Sequence, residues 1–249
     1  KVGIVVRFPV WVLLLGLLAA PLVHGGGSSE AATAGNGSST GQESGVGASP
    51  EERSVPDDAE SAVFAGGCFW CMEEAYEKVP GVYDAVSGYA GGEESDPSYR
   101  EVASGSTGHT EVVRVFYDAT TVSYDELLHV YWRNVDPFDS GGQFCDRGSQ
   151  YRPEIFYSNE EQRRLAEQSL RELEQSDRFS REIVVDITEL DVVEGDDNDG
   201  FWRAEEYHQG YYEKNPVQYR LYKEGCGRVR RLEQVWGDEA GAPSLQKET

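Results

Sequence analysis

Positively charged residues are scarce in this sequence. Its 249 residues include 22 Lys and Arg but 45 Asp and Glu, which gives a formal net charge of −23 at pH 7. A surface of that sign repels nucleic-acid phosphates and anionic lipid headgroups. The charge balance therefore argues against nucleic acid as a partner.

Sulfur-containing residues are also few, with one Met and four Cys at positions 68, 71, 145 and 226. Only Cys68 and Cys71 are close in sequence. Neither a second Cys-x-x-Cys nor a His-x-x-x-His follows them, so the spacing typical of a structural zinc site is missing. Four cysteines in an exported protein could also form two structural disulfides, in three alternative pairings. The sequence predicts no metal site and leaves the pairing open.

No hydrophobic run in the sequence is long enough to cross a bilayer. The apolar run from Val10 to Val23 has about 14 residues, whereas a membrane-spanning helix needs roughly 20. Because Lys1 and Arg7 precede this run, the pattern is typical of a secretory signal. We expect residues 1–24 to be a signal peptide or an N-terminal anchor, and the protein to be exported to the periplasm or outside the cell.

The composition changes after this segment. Residues 25–57 are dominated by Gly, Ser, Ala and Glu and lack large aliphatic runs, so they cannot bury enough apolar surface to offset the entropy of ordering. We expect a disordered linker there, one folded domain over 58–237, and a disordered tail over 238–249. With 39% hydrophobic residues, the chain can build one core.

Strand and helix patterns are mixed through the folded region. Predicted strands are "SAVFAGG", "YDAVSGYAGG", "HTEVVRVFYD", "EIFYS" and "REIVVDITEL". Predicted helices are "CFWCMEEAYEKV", "ELLHVYWRNV" after the Ser123–Glu126 capping box, a helix opened by Ser158 and Glu161, and "AEEYHQGYYEKN" stopped by Pro216. The chain beyond Pro216 is expected to be irregular until "RLEQVWG". The mixture predicts one α+β sheet covered by helices.

The stretch "AGGCFWCMEE" carries the strongest chemical signal. Cys68 follows Gly66 and Gly67 at the start of a predicted helix, where unpaired N–H groups and the helix dipole lower the pKa of a thiol. Cys71 lies one turn deeper, so its position makes Cys68 the better nucleophile. Two other hypotheses stay open at this point. One is a dithiol–disulfide carrier that uses both cysteines, and the other is a secreted binding domain held by disulfides.

Five blocks in order resemble a known family: "GCFWCMEE", "GVYDAVSGYAGG", "GHTEVV", "CDRGSQYRPEIFY" and "AEEYHQGYYEKNP". From about Val63 to Trp236, the chain resembles the peptide methionine sulfoxide reductases of the A type. The resemblance implies an α/β roll with a ferredoxin-like mixed sheet core, flanked by helices and long irregular segments. It also implies thiol-dependent reduction of methionine-S-sulfoxide, free or in peptides and proteins, as a repair of oxidative damage.

The resemblance assigns the reacting thiol and an aromatic wall to the first block. Cys68 occupies the position of the nucleophile. Phe69 and Trp70 match the aromatic residues that receive the methyl group of the sulfoxide. These roles are expectations that follow from the resemblance, because spacing alone does not define them.

The resemblance places four further side chains around the sulfoxide oxygen. Tyr89 and Tyr151 match the phenols that hydrogen-bond this oxygen, Glu111 matches the acid that protonates it, and Asp146 matches an acidic residue of the pocket wall. Protonation matters because a sulfoxide sulfur is a poor electrophile until its oxygen is protonated. A carboxylic acid kept neutral by burial can supply that proton.

The resemblance also implies how the oxidised Cys68 is reduced back to a thiol. A sulfenic acid on Cys68 would condense with a second cysteine, and a thioredoxin-like dithiol would reopen the disulfide. Cys226 is the expected resolving cysteine, because the family keeps it in the C-terminal region. Cys145 and Cys71 are the alternatives, although a Cys68–Cys71 bond within one helical turn would require distortion of the helix. The resemblance implies no metal and no cofactor, and we expect a monomer.

Overall fold

The computed structural model describes residues 54–191 and 198–242. The predicted signal segment, most of the predicted linker and the end of the tail lie outside these ranges. Its strands are β1 (Glu60–Gly66), β2 (Val82–Ala90), β3 (Thr110–Tyr117), β4 (Gly142–Gln143), β5 (Asp146–Arg147), β6 (Pro153–Tyr157), β7 (Asp186–Glu189) and β8 (Phe201–Arg203). Its helices are α1 (Phe69–Glu77), α2 (Tyr99–Ala103), α3 (Tyr124–Arg133), α4 (Glu160–Gln175), α5 (Tyr211–Lys214), α6 (Pro216–Gly225) and α7 (Arg228–Trp236). Within the described ranges, no helix combines the length and hydropathy needed to cross a membrane.

Six of these strands form one mixed sheet in the order β7-β6-β1-β3-β2-β8. The β6–β7 pair is parallel, and the other neighbours are antiparallel. β1 lies inside the sheet and is buried on both faces, since Phe64 joins the main core while Val63 and Ala65 join a smaller cluster on the other face. The α+β class with a mixed sheet flanked by helices is confirmed.

An aromatic core holds α1 and α3 against the sheet. The ring of Phe64 on β1 stacks on Tyr76 of α1, with centroids 5.0 Å apart, and on Tyr131 of α3 at 5.5 Å. Tyr131 also donates a hydrogen bond to the carbonyl of Ala65 at 3.0 Å. These contacts fix the direction of α1, so its N-terminal end lies where β1 ends.

The helix starts were predicted with mixed success. The Ser123 capping box is confirmed, because the Ser123 hydroxyl accepts from the Glu126 N–H and the Glu126 carboxylate accepts from the Ser123 N–H. The start of α4 was predicted one residue too early. Asn159, not Ser158, caps this helix and accepts from the Gln162 N–H at 2.9 Å. Both residue types make good caps, so sequence alone does not separate two adjacent ones.

The region around Pro216 was predicted wrongly. In "AEEYHQGYYEKN", residues 206–210 form turns, and only the four residues of α5 are helical because Gly210 adopts a left-handed φ of 57°. Pro216 begins α6 instead of ending a helix, as suits a proline at the first helical position. The expected irregular stretch is therefore mostly α6 and the start of α7. Downstream, residues 237–239 form a short 3-10 turn past the predicted end of the domain.

Arg228 ties three parts of the fold together. It is only 2% exposed, and its guanidinium donates to the carbonyls of Gly66 at 3.2 Å and Asn134 at 2.7 Å. The same group contacts the sulfur of Met72, which is buried, and lies 4.5 Å from the ring centre of Phe144. α7 is thereby linked to the end of β1, the end of α3 and the loop between β4 and β5.

Replacing this side chain tests its structural role. Arg228→Met keeps an unbranched apolar stem but removes the charged donor, and we expect it to lower the free energy of unfolding by about 3 kcal/mol. Arg230→Met is the matched control on the same helix, because Arg230 is exposed, and it should stay within about 0.5 kcal/mol. Urea unfolding at a fixed disulfide state gives both values. An equal loss of unfolding free energy in the two variants would contradict the structural role of Arg228.

Candidate active site

A small cavity of about 70 Å³ opens beside the N-terminal end of α1. Eight residues line it: Cys68, Phe69, Trp70, Tyr99, Glu111, Asp146, Tyr151 and Tyr222. Six of them are site residues expected from the resemblance, and they come from positions up to 83 residues apart in sequence. The structure thus gathers most of the predicted site at one place.

A sharp turn between β1 and α1 places the thiol in this cavity. Gly67 adopts a left-handed φ of 79°, and a Cβ atom there would lie 2.5 Å from the Cβ of Gln143, so only glycine fits. Cys68 is the N-cap of α1 and has non-helical backbone angles. Its side chain is consequently presented in front of the helix terminus.

Cys68 and Cys71 form a buried pair of thiols. Burial raises the pKa of Cys68, and the hydrogen bond from the Cys68 thiol lowers the pKa of Cys71 to about 6. The two sulfurs therefore share one proton near neutral pH. The expectation that the helix terminus lowers the pKa of Cys68 is wrong for this structure, because burial and the neighbouring Cys71 raise that pKa. Cys68 becomes the thiolate only when the shared proton lies on Cys71.

Glu111 faces the same cavity from β3. It is 3% exposed, and its Oε2 accepts a hydrogen bond from the Phe69 N–H at 3.0 Å. Burial raises the pKa of Glu111 to about 8, and the nearby Asp146 adds to this rise while the Phe69 N–H opposes it. At neutral pH the carboxyl group is mostly protonated, so it can donate a proton inside the cavity.

The aromatic wall is held rigidly. The indole of Trp70 stacks on the ring of Tyr211, with centroids 3.8 Å apart, and its N–H donates to Nδ1 of His208 at 3.2 Å. The His208 ring in turn lies 4.9 Å from that of Phe69. Burial lowers the pKa of His208 to about 4, which keeps this nitrogen available as an acceptor. His208 therefore orients the indole and does not act as a base.

Two phenols of the cavity were not predicted from the sequence. Tyr222 of α6 donates a hydrogen bond to Oδ2 of Asp146 at 2.5 Å, and its hydrogen bond to Cys68 acts to lower the pKa of that thiol. Tyr99 is the first residue of α2, between two of the predicted strands. α6 contains two tyrosines and α2 only one, so no sequence pattern singles out Tyr222 or Tyr99.

Tyr89 is placed differently from the other expected residues. It is fully buried on β2, and its hydroxyl donates to Oε2 of Glu205 at 2.9 Å. Oε1 of Glu205 accepts from the Tyr99 N–H at 2.9 Å. Tyr89 lies behind Phe69, with ring centroids 6.0 Å apart, and is not one of the described residues that line the cavity. Its contact with substrate stays a prediction.

Comparison with known proteins identifies the family. The profile of the family described as "Peptide methionine sulfoxide reductase" matches residues 60–240. A peptide methionine sulfoxide reductase MsrA of Bacillus licheniformis is 47% identical over 183 residues, which are 74% of this chain and 97% of the relative. One of Ligilactobacillus salivarius is 47% identical over 177 residues, 71% and 98% of the two chains. The chain belongs to this family.

Solved structures agree with the fold of this reductase. Methionine sulfoxide reductase A of Corynebacterium diphtheriae is 31% identical with a TM-score of 0.56, and the match covers 65% of this chain and 77% of that one. The reduced form of Mxr1 from Saccharomyces cerevisiae is 29% identical with a TM-score of 0.55, covering 67% and 92%. The similarity extends over the described sheet and helices and is not limited to one motif.

The other two cysteines of the reductase form a disulfide. Cys145 is bonded to Cys226, with Cα atoms 4.9 Å apart, while Cys68 and Cys71 are free. Cys145 lies on the turn between β4 and β5, directly before Asp146 of the cavity wall. The expected bond between Cys68 and Cys226 is therefore not the one present in this structure, and the choice of resolving cysteine stays open.

The shared proton of the thiol pair can be measured directly. With the Cys145–Cys226 bond intact, the rate of iodoacetamide alkylation should rise with pH through about 6, because the pair loses its first proton there. In Cys71→Ser, Cys68 loses its thiol partner while staying buried, so the midpoint should move to clearly higher pH. Mass spectrometry of the alkylated peptides assigns the reacting sulfur. An unchanged pH midpoint of alkylation in Cys71→Ser would contradict a proton shared between the two sulfurs.

Proposed function

We propose that this reductase converts methionine-S-sulfoxide, free or in peptides and proteins, into methionine with Cys68 as the nucleophile. The observation that carries the proposal is the cavity, which combines a thiol pair, a buried protonated carboxylic acid and an aromatic wall. Membership of the family supports the same reaction. Preference for the S epimer rests on that membership, since the described geometry has no bound substrate.

The first chemical step transfers the oxygen of the sulfoxide to Cys68. Glu111 donates its proton to the sulfoxide oxygen, which makes the sulfur electrophilic, and the Cys68 thiolate attacks that sulfur. The attack forms a bond between the Cys68 sulfur and the substrate sulfur. The oxygen then moves to the Cys68 sulfur as the sulfur–oxygen bond of the substrate and the new sulfur–sulfur bond both break, so methionine leaves and Cys68 carries a sulfenic acid. The Cys68 sulfur is oxidised by two electrons and the substrate sulfur is reduced by two.

Different residues of the cavity bind different groups of the sulfoxide. Phe69 and Trp70 offer an apolar surface for the methyl group, and a cavity of about 70 Å³ suits a group of that size better than a large side chain. Tyr151 lines the cavity and can hydrogen-bond the oxygen. For Tyr89 to join it, its hydroxyl must exchange Glu205 for the substrate.

We propose that Cys71 is the resolving cysteine, which forms a disulfide with the oxidised Cys68. The structure supports it over Cys226, because Cys71 is hydrogen-bonded to Cys68 while Cys226 is occupied by Cys145. The expected helix distortion does not arise, since Cys68 is an N-cap residue outside the helical turns. The sulfenic acid then condenses with the Cys71 thiol, which forms the disulfide and releases water.

An external dithiol completes the cycle by reducing the disulfide. We propose a thioredoxin-like protein as this partner, and a monomeric enzyme that uses no metal or organic cofactor in this reaction. We also propose export, to the periplasm or outside the cell. Support for export comes from the apolar run after Lys1 and Arg7, which lies outside the described residues.

Turnover of separate epimers tests the reaction. With dithiothreitol as reductant, the parent should reduce the S epimer of a peptide methionine sulfoxide and leave the R epimer unchanged. Cys68→Ser should have no measurable activity, because it lacks the attacking sulfur. Folded, fully reduced parent protein that turns over neither epimer would overturn the proposal, and the dithiol carrier would replace it.

Glu111→Gln provides the matched test of the acid. Glu111 loses its proton as pH rises through about 8, so kcat/KM of the parent should decline above that pH. The glutamine variant should be slower by about 10²- to 10⁴-fold and should lack this alkaline decline. A decline that persists unchanged in the variant would assign it to another group.

One turnover distinguishes the resolving cysteines. Fully reduced protein is mixed with one equivalent of the S-sulfoxide, quenched with an alkylating reagent, and mapped by mass spectrometry. We expect a Cys68–Cys71 bond with alkylated Cys145 and Cys226, and the same bond at a similar rate in Cys226→Ser. Predominance of a Cys68–Cys226 bond would support the original sequence prediction instead.

A further inference from the structure

A short segment between β8 and α5 supports the aromatic wall of the cavity. It comprises residues 204–210, with the sequence "AEEYHQG". His208 accepts the indole N–H of Trp70 at 3.2 Å, and Glu205 accepts the backbone N–H of the first residue of α2 at 2.9 Å. Tyr211, directly after the segment, stacks on Trp70. The position of the wall therefore depends on what holds this segment in place.

The carboxyl group of Glu73 holds the segment against α1. Glu73 is 1% exposed, and its Oε1 accepts a hydrogen bond from the Gly210 N–H at 2.8 Å. Its Oε2 and the hydroxyl of Ser87 on β2 are hydrogen-bonded at 3.3 Å. Ser87 is itself fully buried. One side chain thus joins α1, β2 and the end of the segment.

Gln209 anchors the same segment to β2. Its Oε1 accepts from the Ser87 N–H at 3.0 Å, and its Nε2 donates to the carbonyls of Ser87 at 2.9 Å and Ala204 at 2.8 Å. The Ala204 N–H also donates to the Ser87 carbonyl at 2.9 Å. Because these residues are buried, each lost partner would leave a donor or an acceptor unsatisfied. The network accordingly favours one arrangement of the segment.

We propose that Glu73 and Gln209 are positioning residues of the reductase, which hold the segment so that Phe69 and Trp70 receive the methyl group of the sulfoxide. Neither is among the described residues that line the cavity, so both act through the segment. Burial raises the pKa of Glu73 to about 8, so its carboxyl group is mostly protonated at neutral pH. Its effect therefore comes from hydrogen bonds and not from charge. The inference rests on the proposed reaction.

Apolar substitutions of similar size test the two residues. Glu73→Met and Gln209→Met each leave a backbone N–H without its acceptor, so the half-saturating concentration of a peptide S-sulfoxide should rise about tenfold. Cys68 and Glu111 keep their places, so the limiting rate should change less than about threefold. Glu73→Gln should retain the parent values, since its amide has both an acceptor and a donor. Both quantities are measured in the first turnover of fully reduced protein, which does not include reduction of the disulfide.

Gln162→Met is the matched control for a general loss of stability. Gln162 is buried as well, but its hydrogen bonds go to Ser158 and Ser61, which do not line the cavity. This variant should lower the free energy of unfolding in urea and leave the half-saturating concentration unchanged.

The outcomes separate this inference from the proposed reaction. Parent-like half-saturating concentrations in Glu73→Met and Gln209→Met, or an equal rise in Gln162→Met, would overturn the inference. An equal rise in Glu73→Gln would overturn it too, because the amide keeps the hydrogen bonds. If Glu73→Met does not fold, the comparison of Gln209→Met with Gln162→Met decides. A parent protein that turns over neither epimer would refute the proposed reaction itself.

Discussion

The hydrogen bond from the Phe69 N–H to Glu111 is the constraint on which the site depends. It joins the first turn of α1 to β3, so one contact fixes the position of the acid relative to the thiol on the preceding residue. The residues involved are 42 positions apart, and only the central place of β1 and β3 in the sheet brings them together. The aromatic core beneath α1 then keeps this alignment from changing.

Desolvation gives the cavity its chemistry. Burial makes Cys68, Glu111 and Asp146 more difficult to ionise than in water, and the negative charge of Asp146 raises the pKa of Glu111 further. The cavity therefore favours few simultaneous negative charges. A thiolate and a neutral carboxylic acid can coexist near neutral pH, which is the combination that oxygen transfer from a sulfoxide requires.

Much of the fold could be predicted from local patterns. β1, α1 and β3 have clear periodicity, and Cys68 and Glu111, which the motif blocks single out, line the same cavity. Tyr222 was missed because its helix begins at a proline that was interpreted as a stop signal. The Cys145–Cys226 pair and its contact with Asp146 depend on how α6 and α7 return to the sheet, and no local pattern encodes that return.

The burial of Met72 has a consequence for how the enzyme behaves in an oxidising medium. It is the single methionine of the chain, it is 1% exposed, and it is enclosed beneath Arg228 and Gly66. Oxidants in solution therefore do not reach the thioether of Met72. This methionine is protected from the damage that the enzyme repairs in other proteins.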